Sequence, residues 1–307
     1  MTRASADEAP VWQAGCPDEL RPVVEACASG ALPPNVALLR LAMAARGPEE
    51  VEGALEGARA GAPAPEAGRL GEALRLWRGN PKAFATVRSV LAGVAHDGPS
   101  PEDGPAHWAR IFDRLSERAP EAGVALYALG NADLLRAATA EVVDWLAAQG
   151  LLGLGREVLE IGCGQGRFVA AIAPRVRWIT GLDISAGMIA RARETCAGLC
   201  NVALAVGNGC DLGGVTDGSV DLVLAADVFP YLVQTGEAVL RRHVEEVARV
   251  LRPGGTLAVL NHSYRSDPER DRAELAALGA GAGLGLSRVG RGDFALWDAP
   301  SFLLRKD

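Results

Sequence analysis

Arg156-Glu157-Val158-Leu159-Glu160-Ile161-Gly162-Cys163-Gly164-Gln165-Gly166-Arg167-Phe168 decides the fold of this chain. A short apolar run (Val158, Leu159, Ile161) gives way to three glycines at alternate positions, Gly162, Gly164 and Gly166. Beyond them the apolar residues change spacing, to Phe168, Val169, Ile172 and, past Pro174, Val176. A period near two becoming a period near 3.6 reads as strand, tight turn, helix. Glycine suits such a turn because a side chain would keep a ligand off the backbone, and because some turn positions need φ > 0. The first N–H groups of the helix have no partner within it and point at whatever occupies the crevice.

Working outward, 176–185 (VRWITGLDIS) reads as a second strand ending at Asp183, near the ~20-residue separation at which an acid meets ribose hydroxyls in nucleotide-binding βαβ units. The next helix, SAGMIARARETCAG, takes Ser185 as its cap. NVALAVGNGCDL is a third strand and turn, and SVDLVLAADVFPYLV a fourth strand with Asp227 at its end. GEAVLRRHVEEVARVLRPGG is an amphipathic helix stopped at Pro253-Gly254-Gly255, and TLAVLNHSY a fifth strand ending at Asn261 and His262. DRAELAALGAGAGLGLSRVG reads as a helix running into a glycine-rich connection, with FALWDAP and SFLLRKD as a closing pair. Strands alternating with helices predict an α/β fold whose ligands bind at the carboxyl ends of the strands. Two ligand readings meet at the glycine turn. A dinucleotide fingerprint is G-x-G-x-x-G, whereas here the spacing is G-x-G-x-G with Glu160 two residues before it. A carboxylate there suits a cationic ligand better than a pyrophosphate.

VLEIGCGQGRF resembles the first motif of class I S-adenosylmethionine-dependent methyltransferases, and RVLRPGGTLAVLN resembles what that family shows before its fifth strand. The resemblance covers roughly 121–307. It implies a Rossmann-like, seven-stranded, mostly parallel sheet with helices on both faces and an antiparallel last strand. It further implies S-adenosylmethionine as cofactor, with Glu160 near the methionyl amino group and Gly162, Gly164 and Gly166 near the methionine–ribose portion. Asp183 would take the ribose hydroxyls, and Ile184 and Met188 would flank the adenine. In the turn after the third strand, Asn208 stands where the family usually has an acid that accepts from the adenine amino group. Its carbonyl can take that bond, with Gly209 beside it and Cys210 offering its backbone N–H, and Asp211 is the alternative contact or simply faces solvent. Asp227 falls at the edge for methionine or acceptor contacts. Tyr127, Phe229, Tyr231, Tyr264 and Arg265 are the candidates for the acceptor side, and His262 for a general base. The implied activity is in-line methyl transfer to the oxygen or nitrogen of a small molecule. A nicotinamide-dependent oxidoreductase and a non-catalytic cofactor-binding scaffold are the alternatives.

The rest of the composition narrows the class. The chain has 307 residues, 49% hydrophobic and 22% charged, with a net charge of −7, a balance that argues against a general nucleic-acid binder. No run of about 18 apolar residues predicts a membrane span. The start, MTRASADEAP, lacks an apolar core of the secretory kind. Six cysteines without a Cys-x-x-Cys pair and four histidines without zinc spacing read as reduced thiols in a cytoplasmic protein with no metal site. Residues 1–120 are rich in Ala, Arg, Glu and Pro and show helical spacing only. Helices are expected over 36–46, 48–60, 67–79 and 82–95, with Gly61-Ala-Pro-Ala-Pro and Gly98-Pro99-Ser100-Pro101 as linkers. Such a region serves as a lid, a substrate cap or a homodimer contact, ahead of the 121–307 methyltransferase-like domain.

Overall fold

The computed structural model describes residues 16–93, 104–118 and 123–307. The opening MTRASADEAP, Val94 and the Gly98–Pro101 linker lie outside the described residues.

Five helices begin the described chain: α1 (Arg21–Ser29), α2 (Pro34–Ala44), α3 (Pro48–Gly61), α4 (Ala64–Arg78) and α5 (Ala83–Gly93). Pro occupies the first turn of α1 through α4, where its missing N–H costs nothing. They bury one apolar cluster of their own, including Leu38, Leu41, Leu55, Leu70 and Trp77. The sequence reading missed α1, whose nine residues hold only three buried positions. Helix α6 (Gly104–Arg118) packs differently. Its Trp108, Ile111 and Leu115 form a separate cluster with Met188, and Tyr231 lies against them. A 3-10 turn at Leu126–Ala128 leads to α7 (Ala132–Ala148), where the Asn131 side chain accepts from the N–H groups of Asp133 and Leu134.

The sheet follows as β1 (Glu157–Ile161), β2 (Trp178–Asp183), β3 (Val202–Val206), β4 (Val220–Ala226), β5 (Leu251–Leu260), β6 (Leu284–Gly290) and β7 (Ser301–Lys306), in the spatial order 3-2-1-4-5-7-6. Strands 1 to 5 are parallel, and β7 runs antiparallel between β5 and β6. The pleat alternates its side chains between two cores. Val158, Leu222, Leu224 and Ala258 face α7, α8 (Arg167–Ile172) and α9 (Ala186–Thr195). Leu159, Ile161, Val223 and Val259 face α10 (Phe229–Thr235), α11 (Glu237–Val250) and α12 (Pro268–Gly281). Chain order reverses between β1 and β4, so the crevice at the switch point opens beyond Ile161 and Ala226.

Three boundaries differ from the sequence reading. Helix α11 ends at Val250, because a residue shortly before a proline is pushed out of the helical region, and β5 starts at Leu251. LGLSRVG is not a glycine-rich connection but strand β6, whose hydrogen-bonded partner is β7. The closing antiparallel pair is therefore β6 with β7, and FALWDAP is irregular chain between them.

Candidate functional site

The glycine turn brings the chain round tightly. Gly162 and Gly164 have φ of +68° and +52°. A Cβ on Gly162 would lie 2.2 Å from Val228 Cγ2, and one on Gly164 would lie 2.8 Å from Val124 Cγ1. Both turns therefore need glycine for conformation and for space.

Two carboxylates flank this turn. Glu160, on β1, is 1% exposed, and its Oε2 has no hydrogen-bond partner among the described residues. Burial drives its acid well above the ordinary carboxylate range, against the pull of the Arg167 guanidinium. Asp183, at the end of β2, is also buried. Its Oδ2 accepts from the Gly164 N–H (2.8 Å) and its Oδ1 from the Ser185 N–H (2.8 Å). Burial pushes this acid up to about 6 despite those two bonds. Ser185 caps α9, accepting from the Met188 N–H at 3.0 Å.

A cavity of about 920 Å³ opens over this edge of the sheet. Its wall contains Glu160, Gly162, Gly164, Asp183, Ile184, Met188, Gly209 and Asp227 from the expected cofactor set. Tyr127, Tyr231 and Tyr264 from the expected acceptor set also line it. The Tyr127 hydroxyl accepts from Arg167 Nη2 at 3.2 Å, and its ring stacks on Trp297 with centroids 5.2 Å apart.

Six expected site residues do not line the cavity. Gly166 lies behind the turn, with φ of +80°, at the N-terminus of α8. A Cβ there would meet Ala192 Cβ at 3.0 Å, so its task is close packing of α8 on α9. Asn208 is exposed, and its Oδ1 accepts from the N–H groups of Cys210 (2.8 Å) and Asp211 (3.0 Å). The carbonyl assigned to the adenine is thus consumed by its own turn. Cys210 is exposed on the outer side of that turn. Phe229 is fully buried in the core beneath the site.

His262 is not placed as a base. It is 0% exposed, and Nε2 lies 2.8 Å from Glu274 Oε2, while Nδ1 has no partner among the described residues. Burial holds its imidazole below the ordinary histidine range. Arg265 is held in the same knot, donating to Asp271 Oδ1 (2.8 Å), to Glu274 and to Ser263 Oγ (3.0 Å). His262, Asp271 and Glu274 present ligand-type atoms within 4.8 Å of one another, but the Arg265 guanidinium already supplies the cation for both carboxylates.

Three wall features, and one contact behind the wall, escaped the sequence. Arg167 reaches across the cavity from α8, its guanidinium 3.9 Å from the Phe168 ring centre. Asp113 on α6 accepts from Ser185 Oγ (2.6 Å) and the Gly187 N–H (3.0 Å). Trp297 contributes from the irregular segment before β7. Arg40 on α2 pairs with Asp298 at 2.6 Å, and both line the cavity. The Asp113–Ser185 contact crosses 72 residues of sequence and the Arg40–Asp298 pair 258, and local spacing carries no trace of them.

The reversed strand order, the glycine turn at the end of β1 and the acid at the end of β2 are the arrangement that the resemblance to class I S-adenosylmethionine-dependent methyltransferases implied. Residues 159–259 match the family model described as a methyltransferase domain. A demethylmenaquinone methyltransferase of Tropheryma whipplei is 29% identical over 157 residues, which is 50% of this chain and 59% of that enzyme. A chondramide synthase of Chondromyces crocatus is 39% identical over 106 residues, which is 33% of this chain and 3% of the synthase. The chain thus spans less than two thirds of either relative. Among solved structures, Haemonchus contortus phosphoethanolamine N-methyltransferase 1, in complex with phosphoethanolamine and S-adenosylhomocysteine, shares the fold. Its TM-score is 0.51 and its identity 16%, over 67% of this chain and 50% of that one. Among the described residues no helix is long and apolar enough to cross a membrane.

Proposed function

We propose that this protein transfers a methyl group from S-adenosylmethionine to the nitrogen or oxygen of a small-molecule acceptor. The observation that carries the reading is Glu160: a buried carboxylate whose Oε2 has no partner, set at the end of β1 against a cavity large enough for a nucleoside and an acceptor together. A buried acid left in that state costs free energy, and a ligand ammonium relieves it. In this reading Glu160 takes the methionyl amino group, and Asp183, whose oxygens keep a lone pair each, takes the ribose hydroxyls. Ile184, Met188 and Gly209 form the adenine slot. S-adenosylmethionine supplies a methyl on a sulfonium, which leaves as a neutral thioether and needs no acid to expel it. What remains for the chain is to place the acceptor in line and keep water out.

The N-terminal helices support a cap role. Val36, Leu39, Arg40 and Met43 of α2 and Val90 and Leu91 of α5 form the part of the wall that these helices contribute. Their apolar character favours an acceptor with an apolar body. The acceptors named for the relatives, a demethylmenaquinone and phosphoethanolamine, are both small molecules, in keeping with this reading.

Calorimetric titration with S-adenosylmethionine and, separately, with a nicotinamide dinucleotide tests the donor. Binding of the first alone is expected, and binding of the second alone overturns the proposal. Asp183→Ala is expected to weaken the donor by roughly tenfold or more, the value of one or two charge-assisted hydrogen bonds. Unchanged affinity in a folded variant would remove Asp183 from the ribose.

A further inference from the structure

At the ends of β4 and β5 stand two residues in the left-handed region that are not glycine, Asp227 (φ +59°) and Asn261 (φ +67°). Such positions are held only where the surroundings over-determine them, and they concentrate at functional sites. Here they hold each other. The Asp227 N–H donates to the Leu260 carbonyl (2.8 Å), and Asn261 Nδ2 donates to Asp227 Oδ1 (2.7 Å). Tyr264 adds a second donor to the same oxygen, at 3.0 Å. Both bonds end on Oδ1. Among the described residues nothing donates to Oδ2, and the residue lines the cavity.

An aromatic cluster continues from Tyr264 beside this carboxylate. The Tyr231 ring lies 6.0 Å from that of Tyr264, 4.7 Å from Trp108 and 5.1 Å from Phe112, and all four residues line the cavity. The neighbouring charges exclude an anionic guest. Seven carboxylate residues but only two guanidiniums line the cavity. Both guanidiniums are engaged: Arg40 with Asp298, and Arg167 with Tyr127, Thr139 and the Phe168 ring.

We propose that Asp227, beside Tyr264 and the ring cluster of Tyr231, Trp108 and Phe112 that continues from it, is a recognition site for the ammonium group of an amine acceptor with an apolar tail. This rests on the methyl-donor reading above and narrows it to N-methylation. Ring faces and a carboxylate attract a cation together, and a neutral hydroxyl gains from neither to the same degree. The tail runs toward Val36, Leu39 and Met43 on the apolar wall of α2. An ammonium held there gives one N–H proton to Oδ2. The freed nitrogen lone pair forms the N–C bond as the C–S pair stays with sulfur. The product departs as an alkylammonium while Asp227 releases its proton to solvent.

The test is calorimetry on the full chain saturated with S-adenosylhomocysteine, using n-octylamine, 1-octanol and octanoate as probes of one tail and three head groups. The amine is expected to bind at least roughly tenfold tighter than the alcohol, with octanoate weakest. Asp227→Asn and Tyr264→Leu are each expected to cost the amine roughly tenfold while circular dichroism and an unchanged urea midpoint report that the variant is folded. Equal binding of amine and alcohol, preference for octanoate, binding of none of the three, or an Asp227→Asn variant that keeps the amine overturns the proposal. Failure of S-adenosylhomocysteine itself to bind is a different result: it removes the methyl-donor reading, and the amine site with it.

Discussion

Glu160 and Asp183 were both legible in the sequence because each position follows from strand length: a carboxylate just before or at the end of a parallel strand reaches the ligand edge. Their protonation was not legible, since it comes from burial. Asp183 is raised to about 6 by desolvation, and burial raises Glu160 in the same direction. The sign follows from linkage. Between its ordinary value of 3.8 and about 6, the folded chain holds a proton on Asp183 that the unfolded chain has released, so stability of the unliganded protein falls as pH rises through that window. A cationic ligand reverses the preference, because it needs the ionised carboxylates. Affinity for S-adenosylmethionine is therefore expected to weaken as pH falls through about 6, by up to about tenfold per unit for Asp183, with Glu160 acting in the same direction. Calorimetry from pH 5 to 8 checks this, and constant affinity across the range contradicts it. His262 shows the opposite lesson. Its place at the end of β5 was legible, yet the pleat sends its ring into the core toward Glu274 while the neighbouring Asn261 and Ser263 line the cavity. Asn208 was misread for a related reason, because an Asx turn satisfies the side chain locally before any ligand arrives.

At the level of elements, the parallel strands and their helices were readable from the switch between periods of two and 3.6. Strand β6 was not, because LGLSRVG carries two glycines and alternates weakly, and it is held as a strand by its ladder with β7. The placing of α6 was hidden too. Helical spacing puts Trp108, Ile111, Phe112 and Leu115 on one face but does not say what that face meets; it meets Met188 and Tyr231, and its Asp113 caps α9. A Cβ on Gly187 would lie 2.3 Å from Ser116 Oγ, which shows how closely the two helices approach. Asp113 supplies an acceptor and a negative charge at the positive end of α9, directly beside Ser185. Asp113→Ala is expected to lower stability by about 1–2 kcal/mol, the scale of a lost N-cap with charge assistance. Urea unfolding followed by circular dichroism measures it. A stability within a few tenths of wild type would mean that α6 is held by its apolar face alone.

Over the whole molecule, two separately cored parts are joined by a few specific contacts, and the cavity is made from both. Helices α1 to α5 bury their own cluster, and the sheet buries another on each face. Val36 of α2 is buried in the sheet's cluster, and a polar tie adds to that contact. Asn35, 1% exposed, donates from Nδ2 to the Tyr127 carbonyl (3.0 Å) and to the Leu296 carbonyl (2.8 Å). It thereby ties the cap to the segments that carry Tyr127 and Trp297, whose rings stack on each other in the cavity wall. The exposed Arg40–Asp298 pair alongside is screened by water and adds little to stability. Asn35 is different, because removing it leaves two carbonyls without their buried donor. Asn35→Ala is expected to cost about 2 kcal/mol in global stability, from the desolvation of those groups. Arg40→Ala, by contrast, is expected to change stability by less than about 1 kcal/mol. If the cap positions the acceptor wall, Asn35→Ala also weakens n-octylamine binding while leaving S-adenosylhomocysteine, held by β1, β2 and their turns, within about threefold of wild type. Urea unfolding and calorimetry on the same two variants measure both effects, and equal losses for Asn35→Ala and Arg40→Ala would show that the buried amide does not hold the cap in place.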